Sequence, residues 1–277
     1  MIFMGIRKDK LKYMFNDIKI GPVTFHMYGL MIAIGFAAAL MMCLKRGKKR
    51  GLNEDIIYGI FFCAIFGGMI GCRLLYYIVE LPAIMEDPSI LWDLKDPSIL
   101  WNFKNGYVVY GGIIGGALTS LIYCRVKKER FLPYFDLVMP AVSFAQGFGR
   151  LGCFFAGCCY GIPYDPPIGI CLKNAIGTAP TDIPLFPVQL LESGLDFLLA
   201  GLLQLCFRKR TRKTDVIPFY CIGYAGIRLF TERFRYDSER GIYFGLATSE
   251  WISLALAICG VLLLLVPSLR RKRASHS

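Results

Sequence analysis

An apolar part of the chain ends in the sequence QGFGRLGCFFAGCCYG, which runs from Gln146 to Gly161. The segment combines a run of glycines with one arginine, Arg150, and three cysteines. We predict that it closes a helix and opens a loop, because glycine-rich sequence rarely continues an apolar helix. An arginine at such a position either anchors the helix end at a membrane surface or binds an anion.

Composition indicates a membrane protein with several spans. The 277 residues are 55% hydrophobic and the mean hydropathy is +0.50, which is too apolar for a soluble chain of this length. Seven apolar runs approach the ~20 residues that a helix needs to cross the hydrocarbon. They cover residues 20–44, 56–79, 107–124, 132–151, 186–206, 216–230 and 252–266. We therefore predict an all-α polytopic membrane protein with seven transmembrane helices, forming a single domain over residues 1–277.

The basic residues predict the orientation of these spans. A net charge of +12 first suggests nucleic acid, but the basic residues lie in short clusters between apolar runs, so no nucleic-acid partner is expected. Eighteen Lys and Arg residues follow runs one, three, five and seven, against eleven on the opposite side. The positive-inside rule then places the N-terminus outside and the C-terminus in the cytoplasm. An interfacial arm (1–19) and two loops (80–106 and 152–186) lie outside.

Charged residues occur inside the apolar runs, where each costs roughly 2.5–3.5 kcal/mol on insertion scales. They are Arg73, Asp136, Arg150, Glu192, Asp196, Arg228 and Glu232. Arg228, Glu232 and Arg235 follow i, i+4, i+7 spacing and share one helical face. Together with Arg73 and Arg150 they suit an anionic head group, because guanidinium binds phosphate oxygens in pairs. The alternative is a set of internal salt bridges with the acidic residues.

Three cysteines follow Arg150 on the outer side: Cys153, Cys158 and Cys159. A disulfide, a reactive thiol favoured by Arg150 and simple packing are all compatible with the sequence. A metal site is not expected, because C-x4-C-C matches zinc and iron–sulfur spacings poorly. His26 is the only histidine available to a site in the membrane, as a base, a donor or an interfacial residue.

Glycines recur at four-residue spacing in two apolar runs. Gly67 with Gly71, Gly111 with Gly115, and Gly112 with Gly116 form faces of small residues. Such faces allow membrane helices to approach closely.

Several motifs, in the same order along the chain, resemble those of the prolipoprotein diacylglyceryl transferases. They are IGPVTFHMYGLMIAIGF (20–36), GGMIGCR (67–73), YGGIIG (110–115), GFGRLG (147–152), PVQLLE (187–192) and GYAGIRLFTERFR (223–235). The resemblance covers about residues 18–268. The seven spans and outer N-terminus of that family agree with the orientation read from charge.

The resemblance implies transfer of a diacylglyceryl group from phosphatidylglycerol to the lipobox cysteine of a preprolipoprotein signal peptide, with glycerol 1-phosphate leaving. It implies no metal or organic cofactor, and a multi-pass location in the bacterial cytoplasmic (inner) membrane. Arg150 and Arg228 match arginines that bind the lipid phosphate. Other matched positions are Glu232 and Arg235 after the sixth-helix arginine, His26 and Tyr28 of the first helix, Arg73 of the second, and Gly161, the last signature glycine.

The chain departs from the family pattern at three positions. Tyr110 replaces a histidine that is a candidate base, while Cys153 and Cys158 replace an asparagine and a glutamate. Tyrosine is a poor base at neutral pH because its ordinary pKa is ≈ 10. The reaction could use His26, Tyr110 or a thiolate instead, or another acceptor. A non-catalytic lipid-binding or transport paralogue, and a thiol-redox protein using Cys153, Cys158 and Cys159, are the alternatives.

Overall fold

A computed structural model describes residues 13–14, 17–20, 23–86, 108–172, 179–180, 183–209, 216–236 and 242–274. The helices are α1 (Met27–Lys49), α2 (Glu54–Val79), α3 (Leu81–Glu86), α4 (Val109–Val126), α5 (Phe131–Ala156), α6 (Val188–Lys209), α7 (Ile217–Glu232) and α8 (Thr248–Ala274). Short strands are β1 (Tyr13–Met14), β2 (Asp17–Ile20), β3 (Val23–His26), β4 (Cys171–Leu172), β5 (Ile242–Tyr243) and β6 (Leu246–Ala247). They pair two by two, with β1 parallel to β4 and with β2–β3 and β5–β6 antiparallel.

Five helices within the described ranges are long and apolar enough to cross a membrane: α1, α2, α4, α6 and α8. The other two helices that correspond to predicted spans, α7 and α5, differ from these five in length or in charge. Helix α7 has only 16 residues. Helix α5 has 26 residues, but it carries Asp136 and Arg150 among its apolar side chains. A predominantly helical membrane protein is therefore confirmed.

Two predicted helix ends are wrong. The first helix begins at Met27, not at residue 20, because β2 and β3 pair as a hairpin in front of it. Val23 and Thr24 are β-branched and favour an extended backbone. The fourth helix continues to Ala156 instead of ending at Leu151, so Cys153 lies on the helix and not in the loop that follows. The outer loop predicted from 80 to 106 lies mostly outside the described residues, as does much of the arm predicted over 1–19.

The chain divides into two compact units, residues 44–134 and residues 1–43 with 135–277. In the first, α2 and α4 pack through the predicted glycine faces. A Cβ atom at Gly71 would collide with the carbonyl oxygen of Gly111, and one at Gly111 with that of Gly71. The Thr119 hydroxyl donates to the Cys63 carbonyl oxygen at 2.8 Å, which adds a hydrogen bond between the helices. Close backbone approach is thus the basis of this packing.

In the second unit, α5 contacts both α6 and α7. Ser193 Oγ donates to the Gly147 carbonyl oxygen at 2.9 Å, and Ser143 Oγ to the Asp196 carbonyl oxygen at 2.8 Å. Asp136 is fully buried, and its Oδ1 accepts the amides of Val216 and Ile217 at 2.8 and 3.1 Å. These amides begin α7 and lack partners within that helix. One of the predicted buried charges is therefore structural.

The glycine contact gives a direct test of the packing of α2 against α4. We expect Gly71→Ala to lower the free energy of unfolding by about 1–3 kcal/mol, because the added methyl group would collide with the backbone of α4, which cannot move as a side chain can. Gly68→Ala is the matched control on the same helix, since its Cβ would lie 3.5 Å from the Gly112 carbonyl oxygen, an ordinary contact. Thermal unfolding in detergent should show a lower midpoint for Gly71→Ala alone. Equal midpoints for both variants would contradict the close approach.

Candidate active site

A single buried carboxylate, that of Glu192 near the start of α6, forms ion pairs with three arginines. Its Oε2 lies 3.0 Å from Nε of Arg150 on α5, and its Oε1 lies 2.9 Å from Nη1 of Arg228 on α7. Nη1 of Arg235 donates to Oε1 at 3.0 Å, and the Thr231 hydroxyl donates to the same oxygen at 3.0 Å. The Glu192 side chain is only 2% exposed. One carboxylate thus joins α5, α6, α7 and the segment after α7.

Glu232 completes this group, which we name the arginine–carboxylate centre: Arg150, Glu192, Arg228, Glu232 and Arg235. Its Oε2 lies 2.7 Å from Nη2 of Arg228, as the i, i+4 spacing predicts. Each acidic residue holds a guanidinium in a fixed orientation, while one positive charge remains in excess. Buried charge is costly unless it is compensated, so the centre is suited to an added anion.

Gly161 allows the centre to form at the end of α7. It pairs with Arg235 in an isolated antiparallel bridge. The neighbouring amide of Ile162 donates to the Phe234 carbonyl oxygen at 3.0 Å, and the Phe186 amide to that of Ile162 at 2.8 Å. A Cβ atom at Gly161 would lie 2.8 Å from the Phe234 carbonyl oxygen and would also collide with that of Phe186. Only glycine fits between these two backbones.

The three cysteines after Arg150 come together, although their spacing matches metal-site patterns poorly. The Sγ atoms of Cys153, Cys158 and Cys159, here named the thiol triad, all lie within 4.8 Å of one another. Gly157 and Cys159 have φ values of +69° and +56°, so the chain turns sharply after α5 and returns toward its last turn. The Cys158 amide donates to the Cys153 carbonyl oxygen at 3.2 Å. The three residues are half-buried thiols, and no disulfide joins them.

The thiols after α5 are electrostatically distinct. Hydrogen bonds with the Cys153 and Cys158 thiols lower the pKa of Cys159, and the nearby guanidiniums of Arg235 and Arg150 lower it further. Hydrogen bonding with the Cys153 and Cys159 sulfurs raises the pKa of Cys158. The pKa of the Cys159 thiol is thus the one that its neighbours lower, as expected beside cationic groups.

Two residues of the first-helix motif, His26 and Tyr28, lie where β3 ends and α1 begins. The Tyr28 ring packs on Gly152, with its Cδ2 atom 3.1 Å from the position of a Cβ there. It also interacts electrostatically with the three thiols and with Arg150. His26 is the last residue of β3, where it is exposed and paired in register with Asp17. Tyr28 therefore belongs to the surroundings of the thiol triad.

Arg73 and Tyr110 belong to the other compact unit. The buried Arg73 guanidinium lies 5.7 and 5.5 Å from the ring centroids of Tyr76 and Tyr77, an arrangement that stabilises a cation. Tyr110 lies in the first turn of α4 and is exposed. Their roles in a common site stay predictions.

Sequence reasoning assigned Glu192 only the part of a possible ion-pair partner. It did not single out Thr231, or Gln189, whose Nε2 donates to the Cys158 carbonyl oxygen at 2.9 Å. The motif PVQLLE could have indicated that Gln189 and Glu192 act at the same site, because they are one helical turn apart and share a face. The Oδ1 of Asp196, also buried, has no hydrogen-bond partner among the described residues.

Fold and site together define a helical membrane protein in which a buried group of arginines and carboxylates lies beside a cluster of thiols. Residues 16–266 match the family model described as prolipoprotein diacylglyceryl transferase. A Clostridium tetani protein named phosphatidylglycerol–prolipoprotein diacylglyceryl transferase is 42% identical over 258 residues, which cover 91% of this chain and 99% of the relative. A second transferase of that name, from Clostridium perfringens, is 39% identical over 252 residues, covering 91% and 94%. The chain therefore belongs to the prolipoprotein diacylglyceryl transferase family.

The central role of Glu192 predicts a large loss of stability when its charge is removed. Glu192→Gln leaves three guanidiniums without their shared carboxylate, and removing one partner of a buried ion pair costs about 3–5 kcal/mol. The exposed Glu54 on α2 provides the control, since Glu54→Gln should leave the unfolding midpoint nearly unchanged. Thermal unfolding in detergent measures both variants. If the midpoint of Glu192→Gln matches that of the control, the carboxylate does not hold the centre together.

Proposed function

We propose that this chain transfers the diacylglyceryl group of phosphatidylglycerol to the cysteine thiol of a prolipoprotein, and that the arginine–carboxylate centre binds the lipid phosphate. The observation that carries the proposal is the convergence of Arg150, Arg228 and Arg235 on Glu192. The names of its relatives at 42% and 39% identity support this activity. They support neither a thiol-redox protein nor a non-catalytic paralogue.

The chemistry of the transfer explains why three arginines are useful. The acceptor sulfur forms a bond to the glyceryl carbon, and the bond from that carbon to the phosphate oxygen breaks. The electron pair of the broken bond leaves with glycerol 1-phosphate, so negative charge grows on the departing phosphate. Guanidiniums already held in position by Glu192 and Glu232 stabilise this charge without reorganising. Because the centre is buried, each of these interactions is stronger than it would be in water.

We further propose the seven-span arrangement with an outer N-terminus, in the bacterial cytoplasmic membrane. The contacts of Glu192 support alternating spans for α5, α6 and α7, because they bring together the end of α5, the start of α6 and the end of α7. In an alternating arrangement these three ends lie on one side of the membrane. The basic clusters lie at the C-terminal ends of α1, α4, α6 and α8, on the side that the positive-inside rule assigns to the cytoplasm.

The remaining matched residues have proposed roles that rest on the family resemblance. Arg73 and Gly161 serve substrate binding, Gly161 by allowing the backbone at Arg235 to come close. By the same resemblance, Tyr28, His26 and Tyr110 have catalytic roles. Phosphatidylglycerol and a lipobox signal peptide are the substrates, and one domain over residues 1–277 carries the whole reaction.

The proposal predicts that Arg228→Ala reduces transfer by at least about 100-fold, the scale of losing one oriented charge at a developing anion. Arg233→Ala is the matched control, because Arg233 lies one residue beyond the same helix and is exposed. Both purified variants would be incubated with phosphatidylglycerol and a lipobox peptide, and the lipidated peptide would be quantified by mass spectrometry. A full rate for a folded Arg228→Ala protein would contradict phosphate binding by Arg228.

A further inference from the structure

The thiol triad has no role in the phosphate-binding chemistry described above. Its Sγ atoms come from the last turn of α5 and from the sharp turn that follows, and they lie within 4.8 Å of one another. Packing alone does not require three sulfurs to point at one position. The spacing C-x4-C-C argued against a metal site. However, the backbone turns sharply at Gly157 and Cys159, where φ is positive, and this turn brings the three sulfur donors close together.

The separations suit a thiophilic cation. Zinc–thiolate bonds are about 2.3 Å, so two sulfurs on a tetrahedral zinc are about 3.8 Å apart. The triad reaches that geometry from its present upper limit of 4.8 Å by movements of about 1 Å or less. Three sulfur donors favour zinc and its soft analogues over magnesium or calcium, which prefer oxygen. No fourth histidine, cysteine or carboxylate joins the group among the described residues, so one coordination position stays open.

The surrounding charges also favour such a site. Three thiolates with a divalent cation carry one net negative charge, and the guanidiniums of Arg150 and Arg235 lie close enough to interact with Cys159. The triad is held beside the arginine–carboxylate centre by Gln189, which binds the Cys158 carbonyl oxygen one turn before Glu192. The backbone continues from the triad to the bridge between Gly161 and Arg235. The two groups are therefore neighbours, joined by these backbone and side-chain contacts.

We propose that Cys153, Cys158 and Cys159 bind one divalent cation of the zinc class, whose open coordination position takes the thiol of the acceptor peptide. This role rests on the proposed transferase function. A thiol bound to such a cation is deprotonated, and its proton passes to solvent. The acceptor thiolate then forms the sulfur–carbon bond while the carbon–oxygen bond to phosphate breaks, and the electron pair leaves on the phosphate oxygen. The cation is neither oxidised nor reduced.

Cadmium binding to the reduced, full-length protein in detergent tests the site without reference to transfer. We expect one Cd²⁺ per chain, with ultraviolet absorption from thiolate-to-cadmium charge transfer. Cys153→Ser, Cys158→Ser and Cys159→Ser should each lose this absorption, whereas Cys259→Ser, which removes an exposed thiol on α8, should keep it. No stoichiometric binding, binding that survives all three substitutions together, or a disulfide that persists under reduction would overturn the metal site.

A lipobox peptide then tests the open position. Adding the peptide should raise the charge-transfer absorption by about one third, as a fourth thiolate joins three. A peptide with serine in place of its cysteine should leave the spectrum unchanged. No response to the cysteine peptide would overturn its role as fourth ligand.

Transfer assays separate this proposal from the one on which it rests. Equal rates for the metal-loaded wild type and the metal-free triple serine variant would overturn the metal's role while the transferase stands. Stoichiometric cadmium binding by a protein that never lipidates the peptide would instead overturn the transferase function and leave the cation site in place.

Discussion

The structure depends on the pairing of one buried carboxylate with three guanidiniums. Burying any of these charges alone would be strongly unfavourable, since the loss of hydration exceeds what an apolar helix bundle returns. Glu192 makes the burial of Arg150, Arg228 and Arg235 possible, and through them it fixes the ends of α5 and α7 against the start of α6. With Glu232, which pairs with Arg228, the five residues carry one net positive charge. In our proposal, stability and anion binding therefore come from one set of contacts.

Much of the helical framework could be predicted from hydrophobic runs. Helix α2 and the body of α4 follow those runs closely, because buried helices require continuous apolar sequence. The ends of the helices were harder to predict from the sequence, since they depend on the local backbone conformation. A hairpin replaces the expected start of the first helix, and α5 continues past the glycines at 147, 149 and 152. Helical packing overrides the weak propensity of glycine there.

The site was predictable where residues share one helix and not where they meet across helices. The pair of Arg228 and Glu232 follows from i, i+4 spacing, whereas the meeting of Glu192 with three arginines from other segments requires the tertiary fold. A metal site at the thiol triad was not expected, for a similar reason. Its convergence depends on left-handed backbone at Gly157 and Cys159, and cysteine rarely adopts that conformation. Zinc spacing rules assume more regular turns.

In the proposed reaction, the anion-binding and thiol-handling parts of the site are adjacent but chemically separate. Arginines would stabilise the departing phosphate, and sulfur ligands would prepare the attacking sulfur. The most direct measurement is mass spectrometry of a lipobox peptide after incubation with the purified protein and phosphatidylglycerol. A diacylglyceryl transferase adds one diacylglyceryl group to the peptide cysteine, and we expect this product. An unmodified peptide, with one of the family's relatives active under the same conditions, would contradict it.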